Sequence, residues 1–181
     1  MQHVLDDLLI AGLKVVIVGT AVGAASAARG AYYAGPGNKF WRTLAETGMT
    51  PRLLRPEEFR LLTAWGVGLT DIAKCVSGSD ASLQPDDFDV SDFVARIKAA
   101  SPRIVAFNGV KAARVFYSER KAPIAYGPGV AVPDIPRIYV LPSTSGAASA
   151  QWSIAPWRAL ADEVKAIPTS SWLERAELSS D

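Results

Sequence analysis

The run KVVIVG (14–19) constrains this chain more than any other feature of its sequence. Four β-branched apolar residues in succession, with no polar alternation, read as a strand buried on both faces. The glycine that closes the run reads as the entrance to a functional loop. A strand covered on both faces needs helices above and below it. Three further stretches repeat the theme: 67–73 (VGLTDIA), 103–107 (RIVAF) and 137–141 (RIYVL).

Helical patterns separate them. Phe40, Trp41 and Leu44 fall at helical spacing within 38–47, with Gly48 as a stop. Pro56 opens a helix through Phe59, Leu62 and Trp65, and Gly66 ends it. Ser91 is placed to cap a helix carrying Phe93, Val94 and Ile97, closed before Pro102. Segments 110–117 and 153–167 make two more, and 5–10 reads as a short helix before Gly12. The Asp/Ser/Gly/Pro-rich stretch 77–89 is a loop. The alternation predicts an α/β fold, a three-layer α/β/α sandwich around a central, mainly parallel four-stranded sheet. Residues 1–167 are expected to form one domain, and 168–181 a polar C-terminal tail.

With 181 residues, 49% of them hydrophobic, the chain can bury a sizeable core. Its net charge of +1 decides nothing about nucleic acid, but the charge is unevenly spread. Six Asp against the lone Lys74 lie between 71 and 92, and seven Lys or Arg against Glu119 lie between 96 and 121. Two solvated faces are the plain reading. The single cysteine, Cys75, excludes an intrachain disulfide, a zinc-finger set and a four-cysteine cluster. The only histidine, His3, lies at the chain start, which argues against a histidine triad or metal site. No metal and no cofactor are expected. The short acidic start (Asp6, Asp7) carries no secretory pattern, and 15–18 is too short to span a bilayer. A soluble cytoplasmic monomer without membrane contact is the expectation.

Ligands of open α/β sheets bind beyond the carboxyl ends of the strands. Here those ends are Gly19-Thr20, Thr70-Asp71, Asn108-Gly109 and 142–146, so small and polar residues converge on one rim. The segment 18–41 (VGTAVGAASAARGAYYAGPGNKFW) joins a strand end, a small-residue loop, the pair Tyr32-Tyr33 and Asn38. Those are the parts needed to hold a flat polar ring between an aromatic face and backbone amides. Thr20, Ala21 and Val22 offer no acid or amide to position water. In LPSTSGAAS (141–149), hydroxyls and free N–H groups suit phosphate oxygens, although hydroxyl self-capping reads equally well. The tyrosines read also as core, and Asn38 as a helix N-cap. A dinucleotide site is a weak competitor, because Gly19 and Gly23 form Gly-x-x-x-Gly rather than Gly-x-Gly-x-x-Gly.

Taken in order, these segments resemble the uracil-DNA glycosylase superfamily over roughly residues 9–164. Region 6–40 and GMTPRLLRPEE (48–58) look like the mismatch-specific uracil/thymine branch. YYAGPGNKFW (32–41), GLTDIAKCVSGSD (68–80), IVAFNGVKAARVF (104–116) and LPSTS (141–145) look like the hypoxanthine branch. The resemblance implies an enzyme of base excision repair. It would flip a damaged base from the duplex and hydrolyse its N-glycosidic bond through an oxocarbenium-like transition state. Uracil in DNA is the first substrate, and hypoxanthine the second. A catalytically silent binder of lesions or abasic sites is the alternative of another class, and an unrelated nucleotide-binding protein is a remoter one.

The same resemblance implies roles for single residues. Tyr33 stacks on the flipped base, while Thr20, Ala21, Asp71 and Asn108 line its edge. Asp71 falls where relatives carry a base-reading amide. Ser143, Thr144, Ser145, Gly146 and Ala147 fall in the loop that grips the DNA backbone, with Ala147 as a small wedge. Two departures stand out. Ala21 replaces the water-positioning Asn of the mismatch-specific branch, and Ser143 replaces the His of other branches. Asn38 matches the Asn of the hypoxanthine branch's aromatic segment. It is therefore the expected catalytic residue, with Asp71 next.

Overall fold

In a computed structural model describing residues 2–117 and 123–168, β1 (Val15–Val22) lies between two parallel partners and sends alternate residues into two separate cores. Val15 and Ile17 enter one, Val16 and Val18 the other. The same alternation runs through β3 (Ile104–Asn108) and β5 (Arg137–Leu141). The strands occur in the order β2-β1-β3-β5-β4, where β2 is Val67–Ser77 and β4 is Gly127–Pro128. All neighbours pair in parallel except β4 with β5.

Helices cover both faces. The first core takes Phe40, Trp41 and Leu44 of α2 (Phe40–Glu46), and Phe59 and Leu62 of a 3₁₀ helix over Pro56–Trp65. It also takes Trp157, Leu160 and Val164 of α5 (Ala155–Ala166). The second takes Phe93 and Ile97 of α3 (Val90–Ala100), with Phe116 and Tyr117 of α4 (Val110–Tyr117). This is the expected three-layer α/β fold.

Several details differ from the sequence expectation. The sheet has five strands, because Gly127 and Pro128 add an antiparallel edge opposite Val140 and Tyr139. A Gly-Pro pair has no apolar period to announce it, and proline is tolerated at an edge. Residues 5–10 form no helix. They run extended along the outer edge of β2, where Val4 N–H donates to Lys74 O at 2.8 Å and Leu8 exchanges bonds of 2.9 and 3.1 Å with Leu69. Six residues pay the helix nucleation cost for few bonds, whereas an unpaired strand edge gains from a partner. Strand β1 does not stop at Gly19. Its pairing with β2 continues through Gly19 opposite Asp71 and Ala21 opposite Ala73, and shifts only after Ala21. Thr20 and Ala21 are thus strand residues.

The small residues expected to be loop contain α1 (Ala24–Arg29), ended by Gly30 at φ 61°. Asp89, not Ser91, caps α3, its carboxylate accepting from Asp92 N–H at 2.8 Å. An Asp three residues before an N–H fits that role better than a hydroxyl already at the second helical position. Within 77–89, Pro85–Asp87 makes one 3₁₀ turn. Of the tail expected at 168–181, only Pro168 lies within the described residues. No described helix is long and apolar enough to cross a membrane.

Candidate active site

The carboxyl rim is assembled from three loops that the chain ties together by side chains. Asn108 ends β3 and spends its amide on Thr144: Nδ2 donates to Thr144 Oγ1 at 2.9 Å, and Oδ1 accepts from Thr144 N–H at 3.0 Å. The Thr144 carbonyl accepts from Lys39 N–H at 2.8 Å, which joins the loop before α2. Gly146 packs so closely on the Gly37 carbonyl that a Cβ there would lie 3.4 Å from it. Trp157, fully buried, donates to Pro142 O at 3.0 Å and anchors the far side.

Tyr33 projects into this frame from a strained backbone. Its φ of 53° is a left-handed value that tyrosine rarely adopts. Such a residue costs about 1–3 kcal/mol and persists only where neighbours over-determine it. They do here. Trp41 Nε1 donates to Tyr32 O at 3.2 Å, Ala34 N–H to Ser26 Oγ at 2.9 Å, and Arg29 to Ala34 O at 3.1 Å. The ring stacks on Phe40 with centroids 3.9 Å apart. The residue keeps part of its surface open, although its hydroxyl is buried and meets no hydrogen-bond partner of good geometry.

Asp71 stands across β1 from that hydroxyl. Gly19 is its register partner, and a Cβ on Gly19 would collide with Oδ1 of Asp71 and lie 3.4 Å from the Tyr33 hydroxyl. Only glycine lets the carboxyl and the phenol close over the strand. Asp71 is 2% exposed, and its Oδ2 has no partner. Burial pushes its pKa up to about 7; Lys74 and Arg96 pull it down, and Asp7 pushes it up. Burial also holds the Tyr33 phenol well above the ordinary tyrosine value, and nearby Asp71 adds to that, while a hydrogen bond with the Asn108 side chain works the other way.

Beneath Asp71 lies a second cluster that the sequence reading missed. Asp7 pairs with Lys74 at 2.8 Å and with Arg96 at 3.0 Å. Thr70 donates to Asp7 at 2.6 Å, and Lys74 also reaches Leu5 O at 2.7 Å and the Tyr32 hydroxyl at 3.2 Å. Arg96 holds Asp92 at 2.7 Å and the main-chain oxygen of Asp71 at 3.1 Å. A lysine inside an otherwise buried strand was the available signal.

The structure brings Thr20, Tyr33, Asp71 and Asn108 to one rim, all but Tyr33 buried, with Ala21 half-buried beside Thr20. Asn38 lies half-buried in the loop before α2, its Oδ1 accepting from Phe40 N–H at 3.0 Å, but the helix cap itself is Lys39, so the N-cap expected of Asn38 is not realised. Thr144 is buried, whereas Ser145, Gly146 and Ala147 are exposed. The Ser143 and Ser145 hydroxyls accept from Ser145 and Ala147 N–H at 3.3 and 3.4 Å. A cleft of about 400 Å³ opens beside Ser143, lined also by Val110, Arg114, Tyr126 and Ala148.

Two comparisons bear on this geometry. The sequence profile of the Uracil DNA glycosylase superfamily matches residues 7–163, a span that contains every rim residue named above. The fold is similar to a solution NMR structure from Methanosarcina acetivorans, named as a "putative Uracil DNA glycosylase". That likeness has a TM-score of 0.63 at 21% identity, covering 89% of this chain and 96% of the other.

Proposed function

The chain belongs to the uracil DNA glycosylase superfamily, a family of DNA glycosylases, and from that premise we propose that it flips uracil out of DNA and hydrolyses the N-glycosidic bond in base excision repair. The observation that carries this reading is the cradle over Gly19, where the side chains of half-buried Tyr33 and buried Asp71 converge, with Oδ2 of Asp71 unpartnered. A planar base with carbonyl edges offers polar atoms to Asp71 and a second π-face to Tyr33, whose other contact is Phe40. Base–aromatic stacking is worth about 1–3 kcal/mol, enough to offset much of the cost of unstacking the base from the duplex.

In this reading the N-glycosidic bond breaks with its electron pair leaving on the base. Water adds its oxygen to the sugar carbon and loses a proton. Asn38 is the residue assigned to hold that water, since Ala21 cannot. Its Oδ1 carries a second lone pair beyond the one given to Phe40 N–H, and its Nδ2 can donate. Ser145, Gly146 and Ala147 lie exposed on the rim where the duplex backbone would pass, and Arg114 and Tyr126 in the adjoining cleft suit a phosphodiester.

The test is a duplex carrying a single uracil under single-turnover conditions, developed with alkali. Strand cleavage at the uracil is expected. A gel shift without cleavage would replace the enzyme by a lesion binder. Cleavage only of a hypoxanthine duplex would make the fused-ring base the substrate. Asn38→Ala is expected to lower the rate about 100-fold or more with binding retained. Asn38→Asp keeps an oxygen that can accept from Phe40 N–H, so comparing the two variants separates chemistry from loss of that loop contact.

A further inference from the structure

The cleft beside Ser143 has walls from three elements, each tied to the sheet. Val110 and Arg114 stand about one turn apart on the same face of α4, while Ala112, Ala113, Phe116 and Tyr117 of that helix enter the second core. Ser143 and Ala148 come from the rim loop, which Trp157 and Asn108 anchor through Pro142 and Thr144. Tyr126 immediately precedes β4. Beyond that strand the Tyr117 hydroxyl donates to Val130 O at 2.6 Å, and Gly129 N–H donates to Ile138 O at 2.8 Å.

Two side chains of the cleft are unspent. Tyr126 is 42% exposed although its backbone leads into a paired strand. Arg114 is exposed, and among the described residues no acidic side chain pairs with it, whereas Arg29, Arg52, Arg96 and Arg137 are each committed to a carboxylate. Neighbouring Lys111 gives its ammonium to Asp80 O. The opening of about 400 Å³ is near the low end of the roughly 300–1,000 Å³ that small-molecule sites occupy, room for one nucleotide and too little for a duplex.

We propose that this cleft is a second nucleotide subsite, in which the unpaired base next to the excised one stacks on Tyr126 and its phosphate pairs with Arg114. The inference rests on the glycosylase reading and deepens it by making a single strand a substrate.

The rim loop separates the two subsites. On one side Thr144 O accepts from Lys39 N–H and Gly146 packs on Gly37, in the segment that carries Asn38. On the other side Ser143 and Ala148 line the cleft. A strand crossing the exposed residues Ser145, Gly146 and Ala147 therefore has the excised base toward α2 and its neighbour toward α4. Ser143 is small enough to leave the passage open. Its hydroxyl accepts from Ser145 N–H and keeps a hydrogen to give to a phosphate oxygen. An aromatic platform and a cation on the backbone are the contacts that hold single strands without regard to sequence. In an intact duplex the neighbouring base stays paired and stacked, out of reach of Tyr126.

The experiment measures single-turnover uracil release against protein concentration on a single strand. The nucleotide 5′ or 3′ to the uracil is replaced, in turn, by a tetrahydrofuran spacer that has no base. One of the two spacers is expected to raise the half-saturating protein concentration about tenfold, and the other to change it less than about twofold. Tyr126→Ala should bind the unmodified strand about tenfold more weakly and no longer sense the spacer, and Tyr126→Phe, which keeps the ring, should restore both. Arg114→Gln should weaken binding and lower its salt slope by about one released ion. Spacer effects below about twofold on both sides, or a spacer effect that survives in Tyr126→Ala, overturn the subsite and leave the glycosylase reading in place. No uracil release from any strand overturns both.

Discussion

Tyr32 and Tyr33 are adjacent in the chain, both buried at the hydroxyl, and opposite in their circumstances. The Tyr32 hydroxyl donates to Asp6 O at 3.2 Å and accepts from Lys74 at 3.2 Å. Tyr33, one residue on, has a left-handed backbone and a hydroxyl with no partner. The two aspartates repeat the contrast. Asp7 pairs with Lys74 and Arg96 and accepts from Thr70; Asp71 is buried with one oxygen unpartnered. One cluster is closed, and its polar atoms are spent on holding the N-terminal segment against β2. The other is open, held rigidly by Gly19, Phe40, Trp41 and Ser26, and unsatisfied.

The contrast can be broken most forcefully from the closed side. Asp7→Ala leaves buried Lys74 and half-buried Arg96 without their shared carboxylate. It should cost about 3–5 kcal/mol in urea unfolding, as removal of one partner from a buried pair does. An effect below about 1 kcal/mol would mean that the cluster is not the clamp described.

From the open side the sign reverses. The folded-state pKa of Asp71 is raised to about 7, so between about pH 4 and 7 the folded protein binds a proton that the unfolded chain has lost. The associated stability is present at low pH and is lost as pH rises through about 7. Asp71→Asn removes that dependence and should stabilise the protein by roughly 2–4 kcal/mol at pH 8, with little change at pH 4. Destabilisation at pH 8 would mean that the carboxylate has a partner after all.

The smallest difference is the most pointed. Tyr32→Phe gives up two satisfied hydrogen bonds and should cost about 1–2 kcal/mol, whereas Tyr33→Phe removes an orphan and should be neutral or gain about 1 kcal/mol. Equal costs, measured side by side in thermal unfolding, would erase the distinction between the neighbours.

The layers of the fold could be read from the sequence because each rests on a local pattern. Apolar runs such as 15–18 and 137–141 admit only double burial, and Gly66 stops the preceding helix at φ 73°. What escaped depends on partners distant in the chain. Residues 5–10 have helix-compatible composition and take an extended form because β2 offers an edge. The strand Gly127–Pro128 exists only through the main chain of β5. For the site, Tyr33, Asp71, Asn38 and the rim loops could be named by resemblance, and β1 gave the place where they gather. Their arrangement could not be read. Nothing in the sequence tells that Gly19 makes room for the Asp71 carboxyl, that Asn108 and Thr144 are joined to each other, or that Asp7 keeps Lys74 and Arg96 occupied. Those are contacts across 36 to 89 positions of chain, settled by packing.

The most direct measurement compares wild type with Gly19→Ala in single-turnover release of uracil from a duplex. The added methyl group lands on the Asp71 carboxyl and beside the Tyr33 hydroxyl, its nearest neighbours. A wild-type enzyme that releases uracil, and a folded Gly19→Ala variant slowed at least about 100-fold, would place the chemistry in this cradle. Release by Gly19→Ala at the wild-type rate would contradict it, because the base would then be held somewhere else.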